Sequence, residues 1–220
     1  MLYDFHTHTF LSDGVLAPIE LIRRAAVHGY TAIGIADHAG PGTMQMSISG
    51  AQKDCELAAK HWDIIPLAGI ELTHVPAASI AELAAAAKRA GALFVVVHGE
   101  SPVEPVEPGT NLAAARCPEV DVLAHPGHIS LEAAAAAAAN GVFLEVTYRK
   151  GHSLANGHVV QVGRAVGAKF LVNSDAHDPE DLLTREKAES AARGAGLTDD
   201  EVRQALDENP RELLRRMGRL

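Results

Sequence analysis

The chain has few cysteines, no long apolar run and no excess of positive charge. Its 220 residues include only two cysteines, Cys55 and Cys117, which form neither a CxxC pair nor the framework of a disulfide-rich secreted domain. The alanine-rich segment 131–139 is the nearest approach to a membrane helix, but it is much shorter than the roughly 20 residues required. Because charge appears directly after the first residues, we expect no signal peptide. These absences predict a cytoplasmic protein with reduced thiols that does not bind membranes.

The shortage of positive charge disfavours a nonspecific nucleic-acid binder. The chain has 19 Lys and Arg against 28 Asp and Glu, so its formal net charge is −9. Proteins that bind nucleic acids nonspecifically neutralise phosphates with Lys and Arg, which are scarce here. We therefore do not expect nonspecific binding of a nucleic acid. Ordinary hydrophobic and charged fractions, 47% and 21%, indicate a globular protein with a sizeable core.

Apolar segments with the character of β-strands alternate with helical patterns along the whole chain. The strand-like segments are 2–5, 32–36, 64–70, 93–97, 122–124, 142–144 and 170–173. Helices are predicted at about 17–28, 47–61, 79–90, 110–116, 130–139, 156–166 and 185–194, and two more short helices at about 197–220. This alternation predicts parallel βαβ units, and we expect one α/β domain over residues 1–220.

Each strand-like segment ends in or leads to His, Asp or Glu. In a barrel of parallel strands these ends meet at one face, so residues far apart in sequence converge. A single His at a strand end is more often a hydrogen-bonded or exposed residue, but five strands that offer His argue for a shared metal site. The candidates are His6, His8, Asp37, His38, Glu71, His98, His125, Glu145, Asp175 and His177. Mixed imidazole and carboxylate ligands suit Zn, Mn or Fe, and we expect two or three divalent ions.

Six segments in this order resemble the PHP (polymerase and histidinol phosphatase) family. They are His6-Thr7-His8-Thr9 with Ser12-Asp13-Gly14, Ala36-Asp37-His38, Gly69-Ile70-Glu71, Val97-His98-Gly99, Ala124-His125-Pro126-Gly127 and Ser174-Asp175-Ala176-His177. The resemblance extends to about residue 180. It implies a distorted (β/α)7 TIM-like barrel and a trinuclear metal centre that hydrolyses phosphoesters.

The resemblance also implies which residues hold each ion. The first ion would be bound by His6, His8, Glu71 and Asp175. The second would be bound by His98, His125 and a bridging Glu71, and the third by Asp13, His38 and His177. By itself, Asp13 would instead be interpreted as an Asx-turn residue. The catalytic candidates within this set are Asp13, Glu71, Asp175 and His177. Hydroxide generated from water at such a centre would attack phosphorus in line.

Residues outside the motifs are candidates for substrate contacts and for support of the ligands. Segment 147–158 follows the sixth strand and contains the substrate-binding candidates Arg149, Lys150 and His152, although it can also be a solvated basic loop. The Pro- and Glu-rich segment 99–109 is expected to form a lid or a wall of the site. Supporting roles behind the ligands are expected for Asp37, Glu145 and His128, and His74 is expected at the surface or the pocket edge.

Three functions remain open from the sequence. The first is hydrolysis of a small phosphomonoester, as in histidinol-phosphate phosphatases. The second is a phosphodiesterase or nuclease that acts on nucleotides or short oligonucleotides. The third is a non-catalytic PHP-like subunit of a ribonucleoprotein such as ribonuclease P. That last function predicts lost ligands and a basic surface, which this acidic chain with its full ligand set does not show. The substrate and the oligomeric state are not encoded in any recognisable motif.

Overall fold

The computed structural model describes all 220 residues, which alternate between parallel strands and helices. The strands are β1 (Tyr3–Thr7), β2 (Ala32–Ile35), β3 (His38–Ala39), β4 (Ile65–Ala68), β5 (Ile70–Leu72), β6 (Val95–His98), β7 (Val122–Ala124), β8 (Phe143–Thr147) and β9 (Phe170–Asn173). The helices are α1 (Pro18–Val27), α2 (Met44–His61), α3 (Ile80–Arg89), α4 (Thr110–Ala115), α5 (Leu131–Asn140), α6 (Asn156–Ala165), α7 (Arg185–Gly194), α8 (Asp199–Arg203) and α9 (Asn209–Arg216). None of these helices combines the length and the apolarity needed to cross a bilayer.

The strands form two parallel sheets, in the orders β1-β2-β4 and β3-β5-β6-β7-β8-β9. The short strand β3, which lies beyond the predicted segment 32–36, continues the position of β2, and β5 continues that of β4, so the nine strands occupy seven positions. The last position meets the first at an isolated parallel bridge between Thr7 and Ala176. There the Asp175 N–H donates to the His6 carbonyl (2.9 Å) and the His8 N–H to the Ala176 carbonyl (2.8 Å). The prediction of a distorted seven-position barrel is confirmed.

The barrel interior is filled by a small core of its own. Thirteen buried residues form this cluster, including Phe5, Phe94 and Phe143, and 52 others form the layer between strands and helices. The Phe5 and Phe94 rings meet edge to face with centroids 6.3 Å apart. Each fully buried Phe stabilises the fold by about 1.5–3 kcal/mol relative to an exposed one. Leu213 and Leu214 of α9 belong to the same cluster. They pack near the strand starts, opposite the predicted site.

The C-terminal segment differs from the predicted pair of short helices. Helix α8, a π-helical turn at Gln204–Glu208 and α9 follow one another without a break. Thr198 caps the start of α8 with a reciprocal capping box to Glu201. Pro210 has no N–H to donate to the carbonyl four residues earlier, which favours the wider turn that precedes it.

Two glycines leave room for the Phe94 ring. A Cβ on Gly69 would lie 2.4 Å from Phe94 Cε1, and a Cβ on Gly34 would lie 2.6 Å from Phe94 Cζ. Phe94 is fully buried, so its ring has no free space into which to move. We expect Gly69→Ala to lower the free energy of unfolding by about 1–3 kcal/mol, the usual cost of overpacking a core. Urea denaturation measures this change.

The control for this prediction is Gly42→Ala, because a Cβ on Gly42 has no neighbour within 4 Å. We expect that variant to stay within about 0.5 kcal/mol of the parent, as surface substitutions usually do. Equal stabilities for the two variants would show that Gly69 is not required for packing Phe94.

Candidate metal centre

The strand ends bring all nine residues predicted as metal ligands to one face of the barrel. Their nitrogen and oxygen atoms form four overlapping groups, and within each group the candidate atoms lie within 4.8 Å of one another. The groups are His6-His8-Asp175, His6-Glu71-His125, His98-His125-His152 and His8-Asp13-His38-His177. Shared members connect the groups into one continuous cluster. His152, predicted as a substrate contact, is the one additional residue.

The first group surrounds Asp175 with two imidazoles. The Asp175 Oδ1 atom lies 3.1 Å from His8 Nε2 and 3.7 Å from His6 Nε2. The His6 Nε2 atom also lies 3.3 Å from Glu71 Oε1. Ligand atoms about 2.0–2.2 Å from one tetrahedral ion are separated from each other by about 3.4 Å. The spacing of this group therefore suits a single small cation.

Glu71 lies between three imidazoles and is fully buried. Its Oε1 faces His6 and His125, with 3.9 Å to His125 Nε2. Its Oε2 contacts His38 Nδ1 and accepts a hydrogen bond from the Thr73 hydroxyl at 2.9 Å. The two oxygens thus point to different members of the cluster, which is the arrangement a bridging carboxylate requires.

The third group lies at the open side of the cluster around Asp13. The Asp13 carboxylate is 3.5 Å from His38 Nε2 and 3.3 Å from His177 Nε2. The rings of His8 and His177 stack with centroids 4.2 Å apart. The His177 Nδ1 lies 3.0 Å from the Asp175 carbonyl, and a proton on Nδ1 leaves the Nε2 lone pair directed toward Asp13.

The cluster contains polar atoms that no protein group satisfies. Seven buried side-chain polar atoms have no hydrogen-bond partner, and six belong to this cluster: His6 Nε2, both ring nitrogens of His8, Glu71 Oε1, His125 Nδ1 and His152 Nδ1. Buried polar groups are normally paired, and each unpaired one costs about 1–3 kcal/mol. Lone pairs that converge without donors fit divalent cations. The residues present therefore match the expected metal ions.

The buried carboxylates and imidazoles of the cluster shift one another's pKa values. Burial, and after it repulsion from Glu71 and Glu145, raises the pKa of Asp175 to about 7 against the attraction of His6. Burial disfavours a charged His6, yet the charges of Glu145, Asp175 and Glu71 raise its pKa well above the usual value. Burial likewise opposes ionisation of Glu71, but His38 and His6 hold its pKa well below normal. Cations can replace these shared protons, so metal binding relieves the crowding of charge.

Glu145 supports two of the candidate ligands from behind. Its Oε1 accepts hydrogen bonds from His6 Nδ1 (2.8 Å) and Asn173 Nδ2 (2.9 Å), and its Oε2 accepts one from the His125 backbone N–H (2.9 Å). A proton on His6 Nδ1 places the lone pair on Nε2, toward Glu71 and Asp175. This contact gives Glu145 the supporting position expected from the sequence.

The carboxylate of Asp37 supports the turn that carries Asp13. Its carboxylate accepts hydrogen bonds from the Thr9 backbone, the Thr9 hydroxyl and the Ser12 hydroxyl, each at 2.7 Å. Asp37 makes no hydrogen bond to His38. It holds the turn that carries Asp13, because the chain folds back over the strand end there. The supporting role expected for Asp37 is therefore directed to the candidate ligand Asp13 and not to His38.

The substrate-binding candidates of segment 147–158 occupy three different environments. Arg149 Nη1 donates to Asp181 Oδ2 at 2.9 Å, and the same oxygen accepts the His177 backbone N–H at 3.1 Å. Lys150 is exposed, and His152 is buried. A one-turn 3-10 helix at His152–Ala155 directs the chain back toward the barrel. The sequence gives no strong signal for this turn, so it does not predict the buried position of His152.

His128 does not support the site. It is exposed, and its ring packs against His158 with centroids 5.4 Å apart. It belongs to none of the four ligand groups. The expectation of a supporting role for His128 is therefore wrong, since the turn after His125 directs it away from the cluster.

Segment 99–109 lies against the cluster through Glu104. This carboxylate is 3.1 Å from His74 Nε2, 3.5 Å from His98 Nε2 and 3.8 Å from His152 Nε2. Glu100 fastens the segment by accepting the backbone N–H groups of Gly109 and Asn111. Beside it is an open cavity of about 320 Å³, lined by Asp13, His38, Ala39, Gly40, Thr43, Thr73, His74 and Glu104. The segment thus forms one wall of the site, with His74 at its edge.

Comparison with known proteins places this arrangement in a family. The PHP domain model matches residues 4–101. An uncharacterized protein of Methanocaldococcus jannaschii is 47% identical over 218 residues, which cover 99% of this chain and 100% of that protein. The chain belongs to the PHP family. A probable phosphatase of Thermoanaerobacter sp. strain X514 is 28% identical to this PHP protein. The alignment covers 92% of this chain and 89% of the phosphatase.

Two solved structures share the fold of this PHP protein. Histidinol phosphate phosphatase from Lactococcus lactis, complexed with zinc, L-histidinol and phosphate, aligns with a TM-score of 0.63 at 16% identity, over 90% of this chain and 94% of that one. A chain of archaeal ribonuclease P with mature tRNA aligns with a TM-score of 0.66 at 11% identity, over 98% of this chain and 89% of that one. At these identities the likeness establishes the fold alone.

The position of Glu71 between three imidazoles generates a prediction about metal content. We expect Glu71→Gln to lose more bound metal than Glu145→Gln, because Glu71 faces the ion positions directly whereas Glu145 acts through His6. Loss of a supporting contact such as that of Glu145 weakens metal binding roughly 10- to 100-fold. Elemental analysis after dialysis against a weak chelator measures the retained ions.

The matched control is Glu132→Gln, because Glu132 is exposed and pairs only with Arg116 at the surface. We expect this variant to retain the full metal content. If Glu145→Gln lost more metal than Glu71→Gln, Glu71 would not be the carboxylate shared between ions.

Proposed function

We propose that this PHP protein is a metal-dependent phosphoesterase that hydrolyses a small phosphomonoester at a centre of two or three divalent ions. The observation that carries the proposal is the continuous cluster of four ligand groups, with Glu71 between them and unpaired lone pairs directed inward. When bound, such ions neutralise the charge of a phosphoryl group and lower the pKa of water. The remaining catalytic requirements fall on the chain's own residues.

The charge balance of the cluster favours a phosphate dianion. Three dications held by Asp13, Glu71 and Asp175 would leave a surplus of positive charge at the face. A phosphomonoester carries two negative charges on a compact group and can match that surplus, whereas a neutral substrate cannot. Asp13 and His177 lie on the open side, so they are placed to meet an entering ester, whereas Glu71 and Asp175 are buried behind them.

The walls of the site favour a small substrate over a long nucleic acid. The cavity beside the cluster has a volume of about 320 Å³, and Glu104 contributes a carboxylate to its lining. This carboxylate and the other acidic residues of segment 99–109 repel a polyanionic backbone.

A substrate screen on metal-loaded protein tests the proposal. Separate samples loaded with Zn, Mn or Fe are assayed against amino-alcohol, sugar and nucleoside monophosphates, against phosphodiesters and short oligonucleotides, and for tRNA binding. We expect phosphomonoester hydrolysis that a chelator abolishes. Hydrolysis of diesters alone would instead support a nuclease. Binding of tRNA without any hydrolysis would support a ribonucleoprotein subunit, the assembly suggested by the fold shared with ribonuclease P.

Arg149 provides a specific prediction for substrate binding. Its guanidinium is held beside His177 by the shared Asp181 carboxylate, and we propose that it donates two hydrogen bonds to the substrate phosphate. Loss of a charge-assisted contact costs about 1.5–3 kcal/mol, so Arg149→Ala should lower kcat/KM roughly 10- to 100-fold. Steady-state kinetics on the best substrate of the screen measures the change.

Two further variants distinguish a substrate contact from a general effect. Arg149→Lys should recover only part of the activity, because an ammonium lacks the planar fork. Arg116→Ala, at an exposed arginine paired with Glu132, should leave kinetics unchanged. Metal content should be normal in all three variants. If Arg149→Ala kept near-parental kinetics, segment 147–158 would instead be interpreted as a solvated basic loop.

A further inference from the structure

His152 occupies a place that neither the family motifs nor the predicted substrate loop explains. It is 8% exposed, and its ring centroid lies 4.3 Å from that of His125 and 5.9 Å from that of His98. The three imidazoles each offer a nitrogen within 4.8 Å of the others. Gly151, with a left-handed φ of 86°, precedes it and allows the chain to turn inward there.

The nitrogen atoms of these rings are available to a common ligand. His98 Nδ1 lies 3.1 Å from the Gly99 carbonyl, so a proton on Nδ1 leaves the Nε2 lone pair free. The Nδ1 atoms of His125 and His152 are both buried without any hydrogen-bond partner. Unpaired nitrogens on the two neighbouring rings of His125 and His152 are costly in a protein interior unless an ion completes them.

A substrate contact is a poorer explanation for His152. The residue is absent from the lining of the open cavity, where Asp13, His38, His74 and Glu104 are found. Its nearest carboxylate is Glu104, whose Oε2 is 3.8 Å from His152 Nε2, beyond hydrogen-bonding distance. Its unpaired nitrogen is thus enclosed by the cluster rather than offered to an entering ester.

We propose that His152 is a protein ligand of the ion held by His98 and His125. The Glu71 Oε1 atom lies 3.9 Å from His125 Nε2 and belongs to the neighbouring group of His6 and His125. Three imidazoles supply three of the four positions of a tetrahedral shell, and this imidazole content favours Zn or Fe over Mg. The inference rests on the proposed metal centre but not on any particular substrate.

Metal titration of apoprotein tests the role of His152 without any assay of activity. Co²⁺ binding is followed by its visible absorption, and Zn²⁺ affinity by competition with a chromophoric chelator. We expect His152→Ala to weaken one class of site at least tenfold and to change the absorption of Co²⁺ there, while the other sites keep their affinity. The control is His128→Ala, an exposed histidine outside all ligand groups, which should bind both metals as the parent does.

Added imidazole separates loss of a ligand from loss of structure. If His152 ligates an ion, free imidazole can enter the space left by His152→Ala and restore both the affinity and the absorption. Unchanged Co²⁺ and Zn²⁺ affinities in His152→Ala would overturn the proposal, and His152 would then be interpreted as a substrate contact. A uniform loss at every site that imidazole does not restore would also overturn it. Normal metal binding without phosphomonoester hydrolysis would refute the proposed function while leaving this assignment intact.

Discussion

The buried carboxylate of Glu71 is the constraint around which the whole site is arranged. A carboxylate with no solvent exposure needs compensation, and here it comes from His6, His38 and His125. His6 and His125 also lie beside Asp175, and burial together with the neighbouring carboxylates raises the pKa of Asp175 to about 7. Divalent ions resolve this conflict because they bind the carboxylates and the imidazole lone pairs together. The cluster therefore suits divalent ions on electrostatic grounds.

The barrel is organised to keep this cluster at one end. Three Phe side chains fill the interior, and Leu213 and Leu214 of α9 pack at the strand starts. The junction of the last and first strand positions depends on few bonds, and two of them involve the backbones of His6, His8 and Asp175. The contact between the last and first strand positions and the placement of these ligands therefore depend on the same backbone segments. A change that loosens this junction should disturb the metal centre first.

The sequence predicts those residues whose positions follow from strand geometry. His6, Glu71, His98 and His125 lie at strand ends, and parallel strands bring such ends together whatever the loops do. Residues whose positions depend on turns are harder to predict. Asp37 binds the turn of Asp13 rather than His38, and a single 3-10 turn moves His152 from the rim into the cluster. The breaks between β2 and β3 and between β4 and β5 also escape prediction, and at the second of them Gly69 lies against the ring of Phe94, a residue distant in sequence.

The most direct test of the account is metal analysis combined with thermal unfolding. Protein purified without chelator should contain at least two equivalents of transition metal per chain. Removal of these ions should lower Tm, because ions that bind only the folded state stabilise it, and it should abolish phosphoesterase activity. A metal-free preparation with an unchanged Tm and full activity would contradict the central claim that divalent ions complete the cluster around Glu71.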